Sequence, residues 1–175
     1  MSQAQSQPGK GSDPERLNLY SFRYLEFLLG FSRIQLRDLS NHAAKYYRPF
    51  YKEPKVRPFA RKAIDKKKRL IDNPKGGLKQ VQRRINQRLL KPLLLPEHLL
   101  GGVPGKCIRD NAYLHLGSPC IVTVDIKKFF PSITPLQIYR VWRVRLNCSP
   151  RIAAVLTRLT TFRGIYHRGL RQVPC

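Results

Sequence analysis

Residues 121–133 read Ile-Val-Thr-Val-Asp-Ile-Lys-Lys-Phe-Phe-Pro-Ser-Ile. A short apolar run that ends at a turn signal predicts a buried strand, so we expect Asp125 at the carboxyl end of a core strand, where a sheet presents its chemistry. The chain carries 34 Lys and Arg against 10 Asp and Glu. A carboxylate at this place in so basic a chain indicates a metal ion held beside a polyanion.

The charge of the whole chain indicates the class of its partner. A net charge of +24 and a pI near 10.7 exceed what solubility requires. Phosphate backbones are the expected partners, because each phosphate that a protein neutralises releases condensed counterions. An apolar fraction of 42% in 175 residues suffices for one folded domain. Charge alone does not separate an enzyme from a basic architectural RNA-binding protein.

Other classes of protein are disfavoured by the residue pattern. The four cysteines form no C-x-x-C pair and the four histidines have no ligand spacing, which argues against a zinc site. The first ten residues lack the apolar core of a signal peptide, and no stretch has the length of a membrane span. We therefore expect a cytoplasmic protein with reduced thiols and no membrane contact.

The N-terminal part is predicted to be a tail followed by two helices. Residues 1–14 are rich in Ser, Gln, Gly and Pro and are expected to be disordered. An apolar stripe from Glu15 predicts a helix that Gly30 ends, and Ser32 is placed to cap a second helix that runs to about Tyr46. The inward positions of the second helix are predicted to be Ile34, Leu36 and Leu39.

The rest of the chain is predicted to mix strands with helices. Residues 48–68 hold three prolines and nine Lys or Arg, which is typical of strand and loop. A short strand over 70–72 precedes an amphipathic helix over 78–95 that Pro96 ends. Further helices are predicted over 108–116, 135–146 and 150–162. The predicted core positions are Leu78, Val81, Ile85, Leu89, Leu90, Leu93, Leu94, Ile138, Val141, Trp142, Ile152, Val155, Leu156 and Leu159. This order of elements predicts an α+β (mixed α/β) domain.

An aromatic run near residue 50 allows two interpretations. Tyr46, Tyr47, Phe50 and Tyr51 alternate with basic residues and could stack on the bases of a nucleic acid. Aromatic runs also commonly belong to a core, and the sequence leaves both interpretations open.

Three motifs occur in a fixed order: Arg69-x-Ile71-x-x-Pro74 with Leu78-Lys79-x-x-Gln82, then Gly101-Gly102 through Gly105-Lys106-Cys107-Ile108 to Asn111-Ala112 and His115, then Asp125 to Ile133. They resemble the fingers segment, the stretch before the first catalytic motif, and motif A of prokaryotic reverse transcriptases. These are the enzymes of the retron and phage-defence kind, relatives of the group II intron enzymes. The resemblance runs from about Leu28 to Gln172, and we assign no chemistry to Asn111 or His115.

The resemblance implies an RNA-directed DNA polymerase, a nucleotidyltransferase that adds deoxynucleotides by two-metal phosphoryl transfer. It implies the fingers and a partial palm of a right-hand polymerase fold, helix-rich with a small incomplete sheet. After the tail over 1–14, the N-terminal helices and fingers would occupy 15–118, and the partial palm would occupy 119–175. The implied partners are an RNA template, an RNA/DNA primer-template and deoxynucleoside triphosphates. The template, the oligomeric state and the choice between retron, intron and antiviral defence roles stay open.

The resemblance also implies roles for individual residues. Asp125 would be catalytic and would share one carboxylate between two Mg²⁺ ions, and the backbone carbonyl of Ile126 would be a further metal ligand. Phe130, five residues after Asp125, would lie under the incoming sugar and exclude a 2′-hydroxyl, while its neighbour Phe129 is expected to face away and pack in the core. The remaining residues implied to bind the nucleotide are Gln172 and the basic run from Lys66 to Arg69. Within that run Arg69, with Lys68 beside it, is expected to hold the triphosphate, and Lys66 and Lys67 stay open as alternatives.

This chain departs from the family in its acidic residues. The family has paired aspartates after motif A, whereas here only Asp110 and Asp125 lie beyond residue 100. Arg171 and Val173 also replace the usual proline and glycine around Gln172. One carboxylate leaves the repulsion between two cations uncompensated, so we expect the chain by itself to be an inactive fragment of a longer coding sequence. The alternatives are a non-catalytic basic RNA-binding module and a non-functional remnant.

Overall fold

The computed structural model describes residues 16–53, 68–127, 129–162 and 165–166. Its helices are α1 (Phe22–Leu29), α2 (Arg33–Asn41), α3 (Gly76–Arg84), α4 (Ile108–Tyr113), α5 (Phe129–Ser132), α6 (Pro135–Arg140) and α7 (Pro150–Thr160). Its strands are β1 (Tyr47–Lys52), β2 (Arg69–Pro74), β3 (Thr161–Phe162) and β4 (Ile165–Tyr166). A 3₁₀ turn, Ala43–Tyr46, precedes β1, and π-helical turns, Ile85–Leu90 and Val141–Arg145, extend α3 and α6.

Local capping signals set the junction between α1 and α2. Gly30 ends α1 in the left-handed conformation, with φ +61°, and its N–H donates to the carbonyl of Glu26. Ser32 and Gln35 form a reciprocal capping box at the start of α2. The predicted stop and start are therefore confirmed. The outer ends of both helices were predicted too long, because Ser21 caps α1 and the chain tightens into the 3₁₀ turn after α2.

The core lies between α1, α2, α3 with its π-helical turn, and α7. Its members that exclude solvent almost completely are Leu19, Leu25, Leu29, Leu36, Leu78, Val81, Ile85, Leu89, Cys148, Ile152, Ala153, Leu156 and Leu159. Most of the predicted core positions are thus confirmed. Ile34 is 80% exposed, so its predicted inward position is wrong. It lies two residues from Leu36, which on a 3.6-residue helix is nearly the opposite face.

Arginine side chains fasten α1 to the end of α3. Arg84 donates from Nη1 to the carbonyls of Leu29 and Gly30, the latter at 2.9 Å, and Arg88 donates to the carbonyl of Leu28 at 2.8 Å. These carbonyls lie in the last turn and at the C-cap of α1, where a carbonyl finds no N–H partner within the helix. Two predicted core positions outside this packing are wrong: Leu94 is 61% exposed and Val141 is 44% exposed.

The strands form two small antiparallel sheets. Strand β1 pairs with β2, with Tyr47 opposite Pro74 and Lys52 opposite Arg69, and β3 pairs with β4. The predicted strand at 70–72 is thus confirmed as the middle of β2. Helices with small antiparallel sheets agree with the predicted α+β class at this coarse level. Among the described helices, none combines the length and the apolar character that crossing a membrane would require.

Candidate functional site

The segment around Asp125 is exposed and has no regular structure. Residues 121–126 form neither helix nor strand, and Val122 and Val124 are 79% and 82% exposed. The prediction that Asp125 ends a buried strand is therefore wrong for this structure. A strand exists only where another strand accepts and donates its backbone hydrogen bonds, and no described segment pairs with this one. The apolar run supplies the preference for a strand but not the partner.

A turn after Asp125 orders the backbone. The N–H of Phe129 donates to the carbonyl of Ile126 at 3.3 Å, and Ser132 Oγ donates to the carbonyl of Phe129 at 2.7 Å. A carbonyl oxygen has two lone pairs, so the one at Ile126 keeps a site for a second partner. Its predicted role as a metal ligand is compatible with this turn and stays a prediction.

The two phenylalanines of α5 lie edge to face. Their ring centroids are 5.3 Å apart at an interplanar angle of 74°. Phe129 is 46% exposed, so the expectation that it packs in the core is wrong, whereas Phe130 is half-buried. The edge of one ring meets the face of the other, which is a favourable aromatic geometry. The role of Phe130 under a sugar stays a prediction.

The predicted triphosphate-binding residues lie at the end of the β1–β2 hairpin where β1 finishes and β2 begins. Arg69 begins β2 opposite Lys52. Lys68 Nζ lies 2.6 Å from Glu53 Oε1, and both side chains are more than 60% exposed. An exposed ion pair of this kind contributes little stability, so a polyphosphate could displace it. The structure places Lys68 and Arg69 next to one another on a solvent-facing hairpin.

A buried glutamine anchors the other end of this hairpin. Gln82 Nε2 donates to the Tyr47 hydroxyl at 2.9 Å and to the carbonyl of Leu159 at 2.8 Å, and its side chain is 3% exposed. Burial raises the pKa of Tyr47 to about 12, and the bond from Gln82 opposes that rise. The Tyr47 ring also lies 4.1 Å, centroid to centroid, from that of Phe162. Gln82 thus ties α3 to β1 and α7.

Sequence reasoning named Gln82 as part of a motif but missed this structural role. The signal was present, since Gln82 follows Leu78 by four residues and lies on the buried stripe of α3. The structure also divides the aromatic run. Tyr47 belongs to the core, whereas Phe50 and Tyr51 are 45% and 66% exposed and remain available for stacking.

The described residues do not fit a two-magnesium centre. No three His, Cys, Asp or Glu side chains cluster within the ranges that the structure describes. The other nearby acidic residue in sequence, Asp110, accepts from the N–H of Cys107 at 2.6 Å, and this bond lowers the pKa of its carboxyl group. Asp110 therefore caps α4, where the sequence had placed it on a helix. Gln172 lies outside the described residues.

Comparison with known proteins gives a consistent set of relatives. Retron Se72 reverse transcriptase of Salmonella heidelberg is 27% identical over 145 residues, which is 83% of this chain and 36% of that protein. Retron Mx65 reverse transcriptase of Myxococcus xanthus is 34% identical over 110 residues, 61% of this chain and 26% of that protein. Retron Ec86 reverse transcriptase of Escherichia coli is 27% identical over 114 residues, 65% of this chain and 35% of that protein.

The chain thus spans little more than a third of the length of the Se72 and Ec86 enzymes and about a quarter of the length of the Mx65 enzyme. It matches no protein-family model. A match of 145 residues within 175 necessarily includes the Asp125 segment and the β1–β2 hairpin. The resemblance seen in the sequence is confirmed, and this chain is a homologue of the prokaryotic retron reverse transcriptases.

Proposed function

We propose that this chain serves RNA-directed DNA synthesis, with the β1–β2 hairpin as fingers and the Asp125 segment as part of the palm in a right-hand polymerase fold. The observation that carries the proposal is the match to retron Se72 reverse transcriptase, which spans both segments. The basic character of the chain, with a net charge of +24, supports a nucleic-acid substrate. The substrates are an RNA template with a primer and deoxynucleoside triphosphates.

The site residues have distinct roles in this proposal. Arg69 holds the triphosphate through the two-pronged geometry of its guanidinium group, and Lys68 adds a point charge once a phosphate replaces Glu53. Phe130 selects the sugar, and Gln172 contributes to the nucleotide pocket. Asp125, with the carbonyl of Ile126, would hold Mg²⁺, which supplies charge stabilisation for the reacting oxygens when bound. Since one carboxylate does not fit a two-metal centre, we assign no chemical step to this chain alone.

A test of nucleotide recognition avoids the need for turnover. The purified chain is bound to an RNA template with a primer that lacks its 3′-hydroxyl, and dissociation is followed after a salt challenge in Mg²⁺. We expect the next complementary deoxynucleotide to slow dissociation, and a mismatched one to have no effect. Arg69→Gln should weaken this effect, and Phe130→Ala should let the matching ribonucleotide act as well.

A matched control is Arg109→Gln, which removes the same charge from an exposed residue of α4. It should lower overall affinity slightly and leave the effect of the complementary nucleotide intact. If no nucleotide slows dissociation under any condition while the RNA still binds, the polymerase proposal is wrong for this chain.

That outcome would favour the second candidate, a non-catalytic RNA-binding module. The observation in its favour is that no cluster of three metal-ligating side chains accompanies Asp125 in the described ranges, although the chain is strongly basic. A module binds RNA equally well with and without Asp125, and its affinity falls steeply with salt because phosphate contacts carry it. Primer extension by the purified chain that Asp125→Ala abolishes would exclude the module.

A further inference from the structure

An arginine-lined cavity lies on the helical side of the protein. It has a volume of about 490 Å³ and opens where α1, α2 and α7 meet. Four arginines line it, and we call them the arginine groove: Arg33, Arg37, Arg151 and Arg158. None of the residues predicted to bind the nucleotide or the metal lines this cavity.

The sequence places the four guanidinium groups on facing helices. Arg33 and Arg37 are four residues apart on α2, and Arg151 and Arg158 are seven apart on α7, so each pair follows one helix face. The opposite faces of both helices are buried in the core, which fixes the helices against one another. Ala154, between the α7 arginines, has a short side chain that leaves the cavity floor open.

One of the four arginines is held by an aromatic ring. The Arg33 guanidinium carbon lies 4.8 Å from the ring centroid of Phe22, which is also part of the cavity wall. Stacking on an aromatic face restricts an arginine without occupying its hydrogen-bond donors. The Arg33 side chain is thus oriented while its N–H groups stay available to an anion.

The described part of the chain provides no carboxylate that forms an ion pair with the arginine groove. The acidic residues of α1 and α2 have other partners. Glu26 accepts from the backbone N–H of Arg33, and Asp38 accepts from His42 and from the Tyr46 hydroxyl. By contrast, Arg84 donates to backbone carbonyls and so has a structural role. Four like charges around one concavity repel each other and concentrate a positive field there.

We propose that the arginine groove binds the phosphate backbone of a nucleic-acid strand, apart from the site where nucleotides would be added. The spacing favours a strand over a single phosphate. Seven residues along α7 correspond to a rise of about 10 Å between Arg151 and Arg158. In a duplex each strand carries one charge per about 3.4 Å of helix axis, and phosphates of an extended single strand lie further apart, so a span of about 10 Å still meets more than one phosphate. This inference goes beyond the proposed polymerase function and does not rest on it.

The test compares two variants that lose the same charge. The groove variant is Arg33→Gln with Arg37→Gln, Arg151→Gln and Arg158→Gln. The control variant changes four exposed arginines outside the groove, namely Arg23, Arg109, Arg140 and Arg145, to glutamine. Binding of a fluorescent single-stranded RNA of 20 nucleotides is measured between about 50 and 500 mM KCl.

We expect the groove variant to show a shallower salt dependence. Each phosphate contact on a single strand contributes about −0.7 to the slope of log K against log salt, so four lost contacts change the slope by roughly 3. If the two proteins bind equally at 1 M salt, this difference in slope corresponds to a loss of affinity of about 200-fold at 0.15 M salt. The control variant should lose less than about 10-fold, because its arginines are dispersed. Equal losses in the two variants would overturn the proposal.

Three competitors identify the ligand class. Single-stranded DNA of the same length should show the same groove dependence as RNA, since phosphate contacts do not read the 2′-hydroxyl. Inorganic phosphate at 10 mM that displaces the RNA completely would indicate a single-anion site. Polyglutamate that binds with the same dependence on the groove would indicate an acidic protein partner. Either of the last two results would refute the proposal.

A milder variant guards against misfolding. Arg37→Lys with Arg158→Lys keeps the charge and removes the planar guanidinium fork. It should bind RNA roughly 10-fold less tightly with little change of salt slope, and its thermal unfolding should match that of the original chain. Failure of this variant to weaken binding, with the groove variant folded and fully active in binding, would also contradict the proposal.

Discussion

Replacement of Gln82 by leucine tests the anchor of the β1–β2 hairpin. The change removes two buried hydrogen bonds, at 2.9 Å to Tyr47 and at 2.8 Å to Leu159. A buried acceptor that loses its donor costs about 1–3 kcal/mol, and the change leaves two such acceptors. The carbonyl of Leu159 lies in the last turn of α7, where a helix lacks its own donors. We therefore expect Gln82→Leu to lower the free energy of unfolding by about 3–5 kcal/mol.

Two matched variants isolate the cause. Gln80→Leu makes the same chemical change two residues away on the exposed face of α3 and should change stability by less than about 0.5 kcal/mol. Tyr47→Phe keeps the ring, removes the hydroxyl that accepts from Gln82, and should cost about 1 kcal/mol or more. In the double variant of Gln82 and Tyr47 the losses should fall short of additivity by about 1 kcal/mol, since the shared bond is counted once.

Urea unfolding followed by circular dichroism measures all four free energies. Hydrogen exchange of β1 and β2 adds a local readout, because the hairpin should lose protection in Gln82→Leu before the core helices do. The reasoning is refuted if Gln82→Leu is as stable as Gln80→Leu, or if the losses in the Gln82 and Tyr47 variants simply add.

Three further predictions rest on single residues. Gly76 has φ +54° and open space where a Cβ would lie, so Gly76→Ala should lower the free energy of unfolding by about 1 kcal/mol. Gly30→Ala should lower it by about 2 kcal/mol or more, because the added Cβ would lie 2.5 Å from a guanidinium nitrogen of Arg84. Thermal unfolding measures both losses. Burial raises the pKa of Cys148 to about 11, so mass spectrometry of alkylated protein at pH 8 should show Cys107 modified long before Cys148. The pKa of Tyr47 is about 12 in the folded chain and about 10 in the unfolded chain. Its neutral hydroxyl therefore contributes stability that is complete below pH 10 and lost by pH 12, up to about 2–3 kcal/mol. Urea unfolding at these pH values should show the loss in the original chain and not in Tyr47→Phe.

The features that sequence predicted well are those set by neighbouring residues. Gly30 and Ser32 mark a helix stop and a helix start through contacts within four residues. The buried stripes of α3 and α7 follow from helical periodicity, which a single segment specifies. Ile34 was assigned inward because it is apolar, although its angular position on α2 opposes that of Leu36. For Ile34, the angular position around the helix axis predicts burial better than the residue type does.

The features that sequence missed depend on distant segments. Gln82 finds its acceptors on β1 and α7, which are 35 and 77 residues away. The arginine groove exists because α2 and α7 lie side by side, and neither helix alone reveals it. Periodicity assigns faces within one helix, whereas the pairing of faces is a property of the packed core. A buried glutamine and an arginine-lined cavity therefore required the structure.

The conformation of residues 121–126, the Asp125 segment, depends both on local sequence preference and on contacts with distant segments. Its apolar run carries a strong local preference for a strand, yet the described residues offer it no pairing partner, and its valines stay exposed. No residue of 121–126 belongs to the core between α1, α2, α3 and α7 or packs against it as the structure describes it. The position of the carboxylate is therefore decided by strand pairing rather than by the helical core. Pairing of residues 121–126 with another strand would supply the missing backbone hydrogen-bond partners and so order Asp125.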